Sequence, residues 1–206
     1  MRIGLVVDGE TELDSFPAFC SRLFPNCGHM HVKTLLAPMN GREPPGKIAK
    51  ACESRLRILS SLGADLGIVV LDLESDTACP GSVATAIAQA VRNISPIPVN
   101  VVLKDRMLEN WLVADIDAVA RLSARFRIRR ADRSSVSPDK ADRIDALALL
   151  RRTAQKKAYD KRRDGRNILA SADPRAMASN SRSFRRFLRV LGHPGYQHQS
   201  ATPQLH

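Results

Sequence analysis

Asp72, Glu74 and Asp76 alternate along the chain directly after the apolar run Ile68-Val69-Val70-Leu71. Carboxylates spaced this way deliver hard oxygen ligands to the carboxyl edge of a sheet, where open α/β folds place their chemistry. Glu10 occupies the corresponding place after the first apolar run, with Gly9 allowing a tight turn and a helix N-terminus beside it. Glu109 follows the last such run closely enough to reach the same edge. Carboxylates gathered without matching bases repel one another unless a divalent cation neutralises them. The four cysteines (Cys20, Cys27, Cys52 and Cys79) contain no C-x-x-C pair, and no histidine has zinc-type spacing, so Mg²⁺ or Mn²⁺ is the expected ion. Such an ion serves phosphodiester chemistry. Glu12 reads as a complement to the helix dipole, His29 and His31 as strand-edge or surface side chains, and Trp111 as a core anchor.

The elements that must position these residues follow from the hydrophobic pattern. Strands are predicted at Arg2 to Val7, His31 to Ala37, Leu66 to Leu71 and Pro98 to Leu103. Helices are predicted from Thr11 to Phe24, Lys47 to Leu62 and Pro80 to about Ile94. This βαβαβαβ order implies an α/β fold: an open, mainly parallel four-stranded sheet with helices on both faces. Beyond it, Ile116 to Leu122 continues as helix and Ser134 to Lys140 reads as a Ser/Pro loop. A helix then carries Ile144, Leu147 and Leu150 on one side, and an amphipathic helix runs from Arg182 to Leu191. The expected organisation is a metal-binding unit over 1–120, a basic helical extension over 121–192 packed on one edge of the sheet, and a disordered tail over 193–206.

Net charge divides the chain in the same way. Residues 1–120 hold 11 Lys/Arg against 14 Asp/Glu, a balance of −3, and residues 121–206 hold 21 against 7, a balance of +14. A basic half beside an acidic centre suits a nucleic-acid partner, DNA or RNA. Arg151, Arg152, Lys156, Lys157, Lys161, Arg162 and Arg163 are the expected phosphate contacts, although they wrap around a helix and cannot all touch one ligand. Aromatics are only 4% of the chain, which argues against single-strand binding by stacking, and Phe184 and Phe187 read as core. The apolar run after Met1-Arg2 is too short for a signal segment and nothing later approaches a membrane span, so a cytoplasmic protein with no membrane partner is expected.

Gly9-Glu10 after the first strand and Asp72-Leu73-Glu74 after the third, in this frame, resemble the Toprim fold of topoisomerases, bacterial primases and a class of nucleases. More closely, the chain resembles the bacterial Toprim-like family called domain of unknown function 4276. That likeness rests on Glu10-Thr11-Glu12 with Phe16, the acidic run with Cys79-Pro80, the Glu109 to Asp115 stretch and Ser181-Arg182-Ser183-Phe184. The resemblance implies that Glu10 acts as general acid/base or metal ligand and that Asp72 binds Mg²⁺ together with the third position of D-x-D. Here that position is Glu74, one methylene longer than aspartate, with Asp76 as a substitute ligand. The implied activity is a nuclease, in a family context of defence against phage or mobile elements. An ATPase partner protein and a homo-oligomer are both compatible with it.

Two other readings compete. A binding module would keep the metal site and recognise nucleic acid or nucleotide within a larger complex. A receiver-like signalling domain would use Asp8, Asp72 and Lys104 at strand ends, but the strand count is one short and receivers need no basic extension. A topoisomerase would need a tyrosine-bearing cleavage domain and a primase its zinc module. A haloacid-dehalogenase-type phosphatase would need D-x-D-x-T/V at the first strand, which Asp8-Gly9-Glu10-Thr11-Glu12 does not supply.

Overall fold

The computed structural model describes residues 1–73 and 79–197. Continuous apolar runs form the four strands, β1 (Arg2–Val7), β2 (Met30–Leu36), β3 (Leu66–Asp72) and β4 (Val99–Lys104), each ending within one residue of its sequence pattern. They make one sheet in the order β2-β1-β3-β4, with every neighbouring pair parallel. The connecting helices are α1 (Glu10–Leu23), α2 (Pro45–Ser61) and α3 (Pro80–Arg92). After β4 come α4 (Leu108–Ala114), α5 (Ile116–Arg121), α6 (Arg130–Val136), α7 (Ala146–Thr153), α8 (Lys161–Ser171), α9 (Pro174–Asn180) and α10 (Arg182–Val190). A single 3₁₀ turn, Pro194–Tyr196, follows.

Strand alternation sorts the core into two layers. Ile3, Leu5 and Val7 of β1 and Ile68 and Val70 of β3 face one layer with α1, while Val6, Val69 and Leu71 face the other with α2 and α3. The first layer also takes in Trp111 of α4, Leu149 and Leu150 of α7, Ile168 and Leu169 of α8, Met177 of α9 and Phe184 and Phe187 of α10. The basic helices share this layer, α8 packing on α1 and α7 and α9 on α4, and α10 lies against the outer strand β4, at the sheet edge where packing was expected. Among the described residues, no helix is long and apolar enough to cross a membrane.

Two local readings change. Ser134, Ser135 and Val136 belong to α6, which begins where the Arg129 N–H donates to Asp132 Oδ2 at 2.8 Å, so only the second half of the expected loop is a loop. The side of α7 that enters the core is Ala146, Leu149, Leu150 and Thr153; Ile144 lies before the helix.

Candidate metal centre

From β1 the chain crosses to β2 on one flank, and from β3 it crosses to β4 on the other. β1 and β3 are therefore the neighbouring strands at which the crossovers change direction, and in open parallel sheets such a switch point, at the carboxyl ends of the strands, is where ligands bind. Asp8 directly follows β1 and Asp72 ends β3, and the Asp72 N–H donates to Asp8 Oδ2 at 2.6 Å. Gly9, in an extended conformation, begins α1, so the first helical turn carries Glu12 back beneath Asp8. Glu12 is only 3% exposed.

Lys104, paired in register with Asp72 at the end of β4, sends a fully buried side chain into the same space. Its Nζ lies 2.8 Å from Asp72 Oδ1 and 3.1 Å from Asp8 Oδ1, and it also donates to Glu12 Oε1. Ligand oxygens of Asp8, Glu12 and Asp72 all lie within 4.8 Å of one another. Three carboxylates against one ammonium leave a formal charge of −2 when all are ionised. Burial pushes the Asp72 carboxyl up to about 7; Lys104 opposes the rise, and Asp8 and Glu12 reinforce it. Burial alone would lower the Lys104 ammonium, but the three carboxylates outweigh it and hold it well above the ordinary lysine value.

The β2–α2 loop closes over this edge. Gly41 rests so near the Asp72 carbonyl that a Cβ there would overlap it, so only glycine fits that approach.

A second, more exposed layer of charge surrounds the centre. Glu10 sits in the first turn of α1 with its side chain 56% exposed, 4.0 Å from the Arg162 guanidinium. The same guanidinium binds Asp14, one turn further along, and holds its carboxyl below the usual range. Glu109 is buried in α4 and lies 3.3 Å from Lys161 Nζ. The buried Tyr159 hydroxyl has no hydrogen-bond partner, and burial followed by the Glu109 charge pushes its pKa up.

The sequence-predicted residues are thus distributed unevenly. Asp72 is at the centre; Glu10 and Glu109 are on the rim; Glu74 and Asp76 lie outside the described residues. Of the expected phosphate contacts, Arg152 binds Asp132 at 2.6 Å, Arg163 approaches Asp164 at 3.4 Å, and Lys161 and Arg162 bind the acidic rim. Arg151, Lys156 and Lys157 are exposed. Glu12 stands in the first turn of α1, where its charge complements the helix N-terminus as expected, and it also contacts a buried lysine 92 residues away. The i, i+4 spacing from Asp8 and the polar residue ending β4 were the available signals.

The Trp111 and Ser181-Arg182-Ser183 motifs meet elsewhere. Trp111 Nε1 donates to Ser183 Oγ at 2.7 Å, and Asp142 accepts from Ser181 Oγ, Ser183 N and Ser183 Oγ at 2.8–2.9 Å. This network fastens α10 to α4 and has a positioning role.

Compared with known proteins, residues 7–192 match a family model described as Domain of unknown function (DUF4276). No curated protein and no solved structure matches.

Proposed function

The chain belongs to the DUF4276 family, and from that membership and its acidic centre we propose a Mg²⁺- or Mn²⁺-dependent enzyme of Toprim type that cleaves nucleic-acid phosphodiesters in the cytoplasm. The carrying observation is the convergence of Asp8, Glu12 and Asp72 within 4.8 Å at the carboxyl ends of β1 and β3. An all-oxygen donor set with residual negative charge fits a hard divalent cation. Asp72 and Asp8 are the residues to hold it, and Glu12 takes the buried side. When bound, the cation supplies polarisation of a phosphate oxygen and stabilisation of the leaving oxygen.

The chain's own groups do the rest. Lys104 fixes the three carboxylates relative to one another and limits their mutual repulsion. Glu10, exposed at the rim, is placed to exchange a proton with water or a leaving oxygen. Arg162 and Lys161 bring positive charge to the same rim, where a phosphate would find it. A role in defence against phage or mobile elements is part of this reading.

Because the Asp72 carboxyl titrates near 7, a cation there competes with a proton. Affinity for Mg²⁺ is expected to rise as pH passes upward through about 7 and to fall roughly tenfold per unit below it, with one proton released on binding. Calorimetry in buffers of different ionisation enthalpy measures that proton; a pH-independent affinity would remove Asp72 from the ligand set.

The reading is tested with purified protein on supercoiled plasmid and on labelled single-stranded DNA and RNA, in Mg²⁺, Mn²⁺ or EDTA. Cleavage is expected with metal only, reduced by about 10² or more in Asp72→Ala and in Glu10→Ala. A second reading has its own observation: the Lys104 ammonium contacts all three carboxylates, which keeps the metal donors assembled whether or not the centre turns over. Metal-dependent binding without cleavage would favour that alternative, a recognition subunit of a larger complex.

A further inference from the structure

A cavity of about 170 Å³ lies between the segment that leads into α6 and the end of α7, and among the described residues it shares no lining residue with the acidic centre or its rim. Two stretches of chain pair to build it. Phe126 and Ala154 form an antiparallel bridge, the Arg127 N–H donates to Thr153 O at 2.8 Å, and the Gln155 N–H donates to Arg125 O at 2.8 Å. Alternation along the first stretch sends Phe126 and Ile128 toward the core and leaves Arg127 and Arg129 exposed on the outer side. Arg152, from the last turn of α7, joins them in the lining. Asp132, 6% exposed, sets their positions: it accepts from the Arg129 N–H at 2.8 Å and from Arg152 Nη2 at 2.6 Å. Burial alone would raise its carboxyl, but these donors outweigh burial and hold it below the usual range, so it stays ionised.

Among the described residues, neither Arg127 nor Arg129 forms an ion pair, and Asp132 takes one nitrogen of Arg152 and leaves that guanidinium's other donors for a further acceptor. Three guanidiniums and the one carboxylate of the described lining give a formal charge of +2. That charge matches a phosphate monoester, which carries about −1.5 to −2 at neutral pH and offers three acceptor oxygens. A diester of the nucleic-acid backbone carries a single negative charge and matches less well. Guanidiniums suit such a group because each presents planar paired donors. The volume points the same way: about 170 Å³ falls below the roughly 300–1,000 Å³ of pockets that enclose drug-sized molecules, so the cavity takes a phosphate group and not a whole nucleotide. Arg130 and Arg151, adjacent in sequence to lining residues, are exposed, so further phosphates of a strand would meet positive charge outside the cavity.

We propose that Arg127, Arg129 and Arg152 form a pocket for a phosphate monoester, either the terminal phosphate of a nucleic-acid strand or the phosphate of a free mononucleotide. The assignment goes beyond the phosphodiester reading above and does not depend on it.

The test is fluorescence anisotropy with the full chain in EDTA, so that binding is read without metal-dependent cleavage, on internally labelled thymidine oligonucleotides that carry a 5′-phosphate, a 3′-phosphate or neither. A terminal phosphate is expected to tighten binding about tenfold over the unphosphorylated strand. Arg127→Gln/Arg129→Gln, which leaves the Arg152–Asp132 pair in place, is expected to abolish that difference, and circular dichroism checks its fold. The advantage is also expected to fade below about pH 6, where the monoester takes up its second proton. Lys33→Gln/Lys50→Gln removes equal charge from β2 and α2 and is expected to keep the preference. Calorimetric titration with thymidine monophosphate, against thymidine as control, separates the two sources: mononucleotide binding that needs Arg127 and Arg129, without any preference for strand ends, would assign the pocket to free nucleotides. Absence of both the end preference and mononucleotide binding would overturn the assignment, as would their persistence in Arg127→Gln/Arg129→Gln or equal loss in the two double variants. Cleavage by a protein that shows no such site would keep the catalytic reading and lose the pocket, and the reverse result would do the opposite.

Discussion

Lys104→Met is expected to lose about 3–5 kcal/mol of folding stability above pH 7 and to regain part of it in Mg²⁺. Methionine replaces most of the packing volume but not the ammonium, so Asp8, Glu12 and Asp72 face one another with no internal counter-charge. The pH sign follows from Asp72. Its folded-state pKa, about 7, lies above the ordinary 3.8, so protonation favours the fold and that contribution is lost as pH rises through about 7. Without Lys104 the carboxyl rises further, so the deficit of the variant should be small in mild acid and largest in mild alkali. Denaturant titrations at several pH values, with and without Mg²⁺, measure this directly. A variant as stable as wild type at all pH values, and indifferent to Mg²⁺, would mean that the three carboxylates do not share one field.

Trp111→Ala is expected to cost about 3–5 kcal/mol and to weaken the whole chain as one unit. Every residue of α4 is buried, and Trp111 is its centre. Its ring stacks 6.4 Å from Phe16 of α1 and lies 5.2 and 5.5 Å from Phe184 and Phe187 of α10. Its indole N–H is a donor to Ser183, which in turn donates to Asp142. Truncation therefore leaves a cavity and a broken buried network at once. Urea unfolding followed by circular dichroism should still give one transition, because the basic helices and the sheet share a core. Two separate transitions would divide the protein into independent parts. Trp111→Phe, which keeps one aromatic ring but loses the donor and part of the indole volume, should cost about 2–3 kcal/mol, less than the alanine variant.

The parallel sheet was readable because strands buried on both faces are written as unbroken apolar runs, and the intervening segments were long enough for crossovers. The helices after residue 120 were harder. The signals at α8 and α9 are local and were present: Asp160 accepts from the Arg163 N–H, and Asp173 precedes Pro174 and accepts from the Arg175 N–H. They were hidden by the density of arginine, which obscures any apolar period. Asp72 could be found because it ends a strand. Glu12 was readable as a first-turn carboxylate of α1, but its contact with Lys104 was not, since that residue lies at the end of another strand and no local rule connects them. The same limit applies to the cations. Counting gives the charge of the basic half, but Arg162 is held by Asp14, 148 residues away, and only the packing of α8 on α1 brings them together.

The two layers of charge at the carboxyl edge of the sheet differ in their response to the surrounding electrolyte. Lys104 and Glu12 are closed off from solvent, and Asp8 and Asp72 open to it only in part, so dissolved ions screen the cluster weakly. Arg162 and Lys161 are more than half exposed, and their bonds to Asp14, Glu10 and Glu109 weaken as ionic strength rises. A cell under osmotic stress would thus loosen the hold of α8 on the acidic rim while the buried centre kept its arrangement. The protein carries a fixed electrostatic heart inside a collar whose grip is set by the salinity of its medium.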